Sequence, residues 1–170
     1  MPGRIGLRGG QVTVEARSVE AGLAVWGPEV AAPPQCSLEQ AHAYCLELAR
    51  THYENFPLLL GMCPRHLRRP LAAVYAWCRW ADDLADEIVE CERSLELLGW
   101  WRDELAACFE GKPRHPVTLA LQQTVGEFEL QRQPFDDLLA AFVSDQRVVE
   151  YETFDDLLEY CRNSANPVGR

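Results

Sequence analysis

Asp82, Asp83 and Asp86 stand in the spacing DDxxD, with Arg79 and Tyr75 one and two helical turns before them. At about 100° of rotation per residue, these five side chains cluster on one face of a helix. Asp82 and Asp86 are i,i+4 neighbours, so their carboxylates can lie within about 5–6 Å of each other, and Arg79 lies near both Asp82 and Asp83. Like charges at that spacing destabilise an isolated helix by roughly 0.2–0.5 kcal/mol, and acidic residues toward a helix C-terminus also oppose its dipole. A divalent cation offsets both costs. Mg2+ keeps several waters and is held by one or two carboxylates together with substrate phosphates, so an acidic protein that binds a diphosphate needs such an ion as the bridge. From spacing alone, a solvated acidic face with Arg79 as an ordinary intrahelical partner is the commoner explanation.

The helix that carries these residues is expected over about 70–90, with Pro70 in its first turn. Val74, Trp77, Cys78, Ala81, Leu84, Ala85 and Ile88 form its apolar stripe, and the polar group runs beside that stripe, not opposite it. Around it the pattern predicts further helices. A capping box of Ser37 and Gln40 opens one that runs through about Glu54, where Asn55 and Pro57 end it. Ser94 is expected to cap a helix to about Phe109, and Pro116 to start one to about Arg132. A helix near 135–147 and a last one capped by Thr153 and running toward Asn166 complete the set. Six helices joined by short loops predict an all-α domain over 37–170. Residues 1–36, with Gly9-Gly10, Gly27-Pro28, Pro33-Pro34 and a short alternation at Val12–Val14, predict a flexible tail or a mis-assigned start.

Composition bounds the function. The 170 residues carry a net charge of −10, which argues against a general nucleic-acid partner and against polybasic attraction to anionic lipid. The longest apolar run, Leu71–Cys78, is far short of the ~20 residues a spanning helix needs, and no secretory signal is legible. Seven cysteines without a CxxC pair read as reduced thiols of a cytoplasmic protein. The remaining candidates are weak singly: His52, Asn55 and Phe56 follow the first helix, Asp145 lies near the end of another, and Tyr160, Ser164 and Val168 share a helical face in which Asn166-Pro167 implies a kink or break.

Together these segments say more. The strings His52–Pro57 (HYENFP), Tyr75–Glu87 (YAWCRWADDLADE) and Tyr160–Arg170 (YCRNSANPVGR) resemble the squalene/phytoene synthases, most of all the hydroxysqualene synthase branch of bacterial hopanoid pathways. The resemblance runs in order over about 38–170 and implies an isoprenoid-synthase helical bundle, of which this chain is the N-terminal portion. It implies Mg2+ as cofactor, held by Asp82 and Asp86 against a prenyl diphosphate, with Arg79 and Tyr75 on the diphosphate side. It further implies His52 and Asn55 at the cavity mouth, Phe56 beside the isoprenoid chain, Asp145 and Tyr160 facing the cavity, and Ala165, Val168 and Gly169 lining the hydrocarbon pocket.

The implied reaction is conversion of presqualene diphosphate to hydroxysqualene, with head-to-head prenyl transfer from farnesyl diphosphate to squalene, or its phytoene-forming counterpart, as the alternative. A non-catalytic helical interaction module remains a third reading. Peripheral contact with a membrane at product release is compatible with all the enzyme readings. The family's second aspartate-rich motif lies beyond the YCRxSANPVGR segment and is not among these residues. A C-terminally truncated fragment is therefore expected, poorly active or inactive alone and prone to associate through exposed inner faces.

Overall fold

The computed structural model describes residues 7–8, 11–12, 18–51, 61–148 and 153–165. Seven α-helices follow a two-stranded ribbon among the described residues: β1 (Leu7–Arg8) and β2 (Gln11–Val12) pair antiparallel, then α1 (Val19–Trp26), α2 (Leu38–Thr51), a 3-10 turn at Arg65–Leu67, α3 (Arg68–Asp86), α4 (Cys91–Phe109), α5 (Pro116–Phe128), α6 (Gln133–Asp145) and α7 (Phe154–Ser164). The described residues are all-α apart from that ribbon. Helix α3 is the centre of the bundle and packs against α1, α2, α4, α5 and α6, whereas α7 packs on α6.

Local signals account for several boundaries. Ser37 and Gln40 exchange hydrogen bonds, backbone N–H to Oε1 at 2.8 Å and backbone N–H to Oγ at 3.3 Å, and α2 starts there. Thr153 and Asp156 form the same reciprocal box at α7. Pro116 opens α5, where the His115 side chain accepts from the Val117 N–H at 3.2 Å. Helix α3 ends at Asp86, short of the expected 90, because the Glu87 N–H closes the last turn on the Asp83 carbonyl. Ser94 is not a cap. Helix α4 begins at Cys91, and the wholly buried Ser94 hydroxyl donates instead to the Leu84 carbonyl of α3 at 2.8 Å.

The reading of 1–36 as a tail is corrected in part. Ser18 caps α1, and Val19, Gly22 and Trp26 are buried against the bundle. A Cβ at Gly22 would stand 2.6 Å from the Trp80 ring, so only glycine permits that approach. Arg93 of α4 pairs with Glu29 just beyond α1.

The core is aromatic. Trp77 and Trp101 are fully buried, Trp80 nearly so, and the Trp80 and Trp101 rings stack 5.3 Å apart. The His115 ring stands edge-on to both, 4.5 Å from Trp80 and 5.0 Å from Trp101. Buried Glu104 accepts from the His115 N–H and the Thr118 hydroxyl and pairs with Arg114 at 3.4 Å. Each of the seven cysteines is a free thiol, Cys45 and Cys108 within the core. Among the described residues no helix is long and apolar enough to cross a membrane.

Burial pushes the His115 imidazole down to about 3, so it is neutral inside the fold. A histidine whose folded value lies below its unfolded value of about 6.5 stabilises fully above that value and progressively less as pH falls toward the folded one. His115→Asn keeps a capping acceptor but leaves a void. It is expected to cost about 1–3 kcal/mol at pH 7 in urea unfolding, with the gap to the unmodified protein narrowing by pH 5. A gap that stays constant with pH contradicts the neutral-imidazole assignment.

Candidate active site

The last two turns of α3 gather the charges. The Arg79 guanidinium donates from Nη1 to Asp82 Oδ2 at 2.9 Å, and its Nη2 lies 2.5 Å from Asp83 Oδ1. One cation thus bridges two adjacent carboxylates of its own helix, reached at i+3 and i+4. The two acids differ in setting. Asp82 keeps 36% of its side-chain surface exposed, whereas Asp83 keeps 10% and is buried. Burial lifts the Asp83 carboxyl to about 6, against the pull of Arg79, with Glu87 and Asp82 adding repulsion. Asp86 is the last helical residue and is exposed.

The sequence places Asp83 on the polar face beside Arg79 but gives it no role in the site. Its signal was angular. It lies at the edge of the polar face beside Ala72 and Ala76, both fully buried, so its carboxylate is turned toward the bundle.

Helix α3 also walls an apolar hollow one to two turns before those charges. A cavity of about 650 Å3 is walled by Val74 and Cys78 of α3, Phe128 and Leu130 at the end of α5, and Phe135 and Leu138 of α6. Burial pushes the Cys78 thiol up to about 12, so it is a neutral, apolar wall. At 100° per residue Val74 and Cys78 occupy the strip of α3 next to Tyr75, Asp82 and Asp86. One helix therefore offers acids on one strip and grease on the next.

Two other residues singled out from the sequence meet. The Tyr160 hydroxyl of α7 donates to Asp145 Oδ2 at the end of α6, at 2.9 Å. Tyr75 is half-buried against the core, and Ala165 is exposed just past α7. His52, Asn55, Phe56, Val168 and Gly169 lie outside the described residues.

Among the described residues no three His, Cys, Asp or Glu side chains converge on a metal position. The Asp82 and Asp86 carboxylates are nevertheless a hard, all-oxygen pair on one accessible face. That donor set fits Mg2+, which takes one or two carboxylates and fills its remaining positions with water and phosphate. It does not fit a metal that needs a closed protein cage.

A family model described as squalene/phytoene synthase matches residues 49–170. The crystal structure of squalene synthase HpnC from Alicyclobacillus acidocaldarius is similar with a TM-score of 0.73 at 41% identity, over 78% of this chain and 50% of that one. A dehydrosqualene synthase solved in complex with ligand gives 0.70 at 32% identity, over 78% and 46%. Among curated relatives, a phytoene synthase of Arthrospira platensis is 35% identical over 129 residues, covering 76% of this chain and 42% of that protein. The chain thus spans half or less of the length of these relatives.

Removing Arg79 leaves Asp83 buried without its cation. Arg79→Met is expected to cost about 3 kcal/mol at pH 7.5, the scale of a broken buried pair. Asp83 already has a folded value above its ordinary 3.8, and loss of the guanidinium raises it further, so ionisation subtracts stability as pH rises. The deficit relative to the unmodified protein in urea unfolding should therefore shrink by pH 5.5. An equal deficit at both pH values contradicts the assignment of Arg79 as the counter-ion of Asp83.

Proposed function

Because the chain belongs to the squalene/phytoene synthase family, we propose that it carries the diphosphate-binding part of a Mg2+-dependent prenyl synthase that converts presqualene diphosphate to hydroxysqualene. The observation that supports this most is that one helix, α3, carries the Arg79–Asp82–Asp86 strip and, on the neighbouring strip, Val74 and Cys78, which wall an apolar cavity. A prenyl diphosphate has the same division, a polyanionic head joined to a hydrocarbon tail. The hydroxysqualene reading draws on the resemblance of the YCRNSANPVGR segment; the 41% identity to a squalene synthase and the 35% to a phytoene synthase support prenyl-diphosphate chemistry of either kind.

Ionisation of the substrate breaks the carbon–oxygen bond, leaving the electron pair on the diphosphate and a carbocation on the chain. Asp82 and Asp86 would hold Mg2+, which would supply positive charge to the departing group. Arg79 serves the same charge directly. Its Nη1 hydrogens exchange Asp82 for a phosphate oxygen, while Nη2 stays on Asp83, so the guanidinium is aimed before substrate arrives. That exchange would also leave Asp82 available to a metal ion.

We assign Tyr75 to the diphosphate side; the apolar wall keeps bulk water from the carbocation until a single water adds to it, its oxygen forming the new C–O bond of hydroxysqualene and its extra proton leaving with the diphosphate or to solvent. Asp145 and Tyr160 are assigned to the cavity face, Ala165, Val168 and Gly169 to the hydrocarbon lining, and His52, Asn55 and Phe56 to the mouth. Head-to-head coupling of two prenyl diphosphates to squalene or phytoene is the second reading, favoured by the phytoene synthases among the curated relatives.

Calorimetric titration with inorganic pyrophosphate in the presence and absence of Mg2+ tests the site. Saturable, Mg2+-dependent binding is expected, weakened at least tenfold in Asp82→Asn and Asp86→Asn without loss of helical content. No binding by the unmodified protein, or equal binding by both variants, overturns the reading. Products extracted after incubation with presqualene diphosphate decide the rest: hydroxysqualene supports the first reading, and a hydrocarbon without oxygen supports the second.

A further inference from the structure

The last carbonyls of a helix have no partner within it, and a frayed last turn loses its side-chain register. Helix α3 has an acute form of this problem. Its final turn contains two acids, Asp83 and Asp86, and no basic residue. Carboxylates and carbonyl dipoles of the same sign therefore crowd one helix end.

Two side chains from other helices meet that end. The Ser94 hydroxyl of α4 donates to the Leu84 carbonyl at 2.8 Å, and the Gln146 amide, just past the end of α6, donates from Nε2 to the Ala85 carbonyl at 3.0 Å. Gln146 is itself held, since its own carbonyl accepts from the Cys91 thiol at the start of α4 at 3.3 Å. It also follows Asp145 directly, whose carboxylate accepts from Tyr160 of α7. The ends of α3, α4 and α6 are thus tied at one residue, immediately before Asp86.

We propose that Gln146 is a positioning residue for the metal-binding turn: by donating to the Ala85 carbonyl it keeps the last turn of α3 helical, so that Asp86 stays on the same face as Asp82. The inference rests on the reading of Asp82 and Asp86 as the Mg2+ pair. The i,i+4 approach of two carboxylates exists only while the turn between them is helical. The amide donor also withdraws negative potential from the carbonyl next to Asp86, easing the crowding without placing a cation in competition with the metal. Ser94 supports the preceding carbonyl from within the core, whereas Gln146 is only partly buried and can be changed with less risk to the fold.

Gln146→Leu removes the donor at similar size, Gln146→Glu turns an acceptor toward the carbonyl at neutral pH, and Gln146→Asn retains a donor on a shorter arm. Two readouts separate positioning from simple stabilisation. Hydrogen exchange at the Glu87 amide, which closes the last turn on Asp83, is expected to quicken about tenfold in Gln146→Leu, while amides in the middle of α3 keep their protection. In calorimetry with Mg2+ and inorganic pyrophosphate, Gln146→Leu and Gln146→Glu are expected to bind about five- to tenfold more weakly, with Gln146→Asn between them and the unmodified protein.

If the unmodified protein binds Mg2+ and pyrophosphate but the Leu and Glu variants bind equally well, the positioning role is overturned and the functional reading stands. If the unmodified protein binds neither, the functional reading fails with it. Slower exchange at Glu87 is then all that Gln146 provides, and the inference is overturned as well. A uniform loss of protection along α3 in Gln146→Leu likewise contradicts it, since that is the mark of general destabilisation.

Discussion

A single guanidinium shared by two carboxylates organises this protein's acidic end. Arg79 reaches Asp82 with one nitrogen and Asp83 with the other, and it does so within one helix. Without that cation, α3 would end in a run of like charges with one member, Asp83, turned into the bundle. With it, the buried acid has a counter-ion, the exposed acid is held ready, and the arginine itself is anchored from below. The asymmetry is the useful feature. The Asp83 contact is shielded and persists, while the Asp82 contact is open to solvent and can be exchanged for a ligand oxygen.

The bundle positions that turn through its core and not through its surface. Trp77 and Trp80 on the opposite side of α3 pack into the Trp101–His115 cluster, which fixes the helix's rotation about its own axis. Rotation decides everything here, because the acidic strip and the apolar strip are separated by less than a quarter turn. Turning α3 by one residue's worth would bring Asp82 toward the cavity walled by Val74 and Cys78. The neutral buried histidine and the buried Glu104 are costs accepted in the core, each relieved by its own backbone or side-chain partners.

Much of this was legible in the sequence wherever the determining contact is local. The Ser37–Gln40 box, the Thr153 cap, Pro116 at the start of α5 and the Arg79–Asp82 pair all act over three or four residues, and the structure has them as the spacing predicts. The misreadings share the opposite cause. Ser94 is a good capping residue by type, but its hydroxyl is used ten residues away across a helix pair. Helix α1 was hidden by the glycines and prolines around it and by Gly22 within it, where a Cβ would meet the Trp80 ring. The burial of Asp83 and the grip of Gln146 on α3 depend on which neighbours close over a face, which periodicity alone does not specify. The hydrogen bond between Asp145 and Tyr160 was not legible, since fifteen residues and a turn separate them; the family resemblance implied only that each faces the cavity.

The most direct test of the shared guanidinium is a crystal structure of the protein grown with Mg2+ and inorganic pyrophosphate. The account predicts metal density between the carboxylates of Asp82 and Asp86, Arg79 Nη1 moved onto a phosphate oxygen, and Nη2 still on Asp83. A structure in which pyrophosphate is bound while Arg79 has left Asp83, or in which metal and anion settle away from this turn of α3, would contradict it.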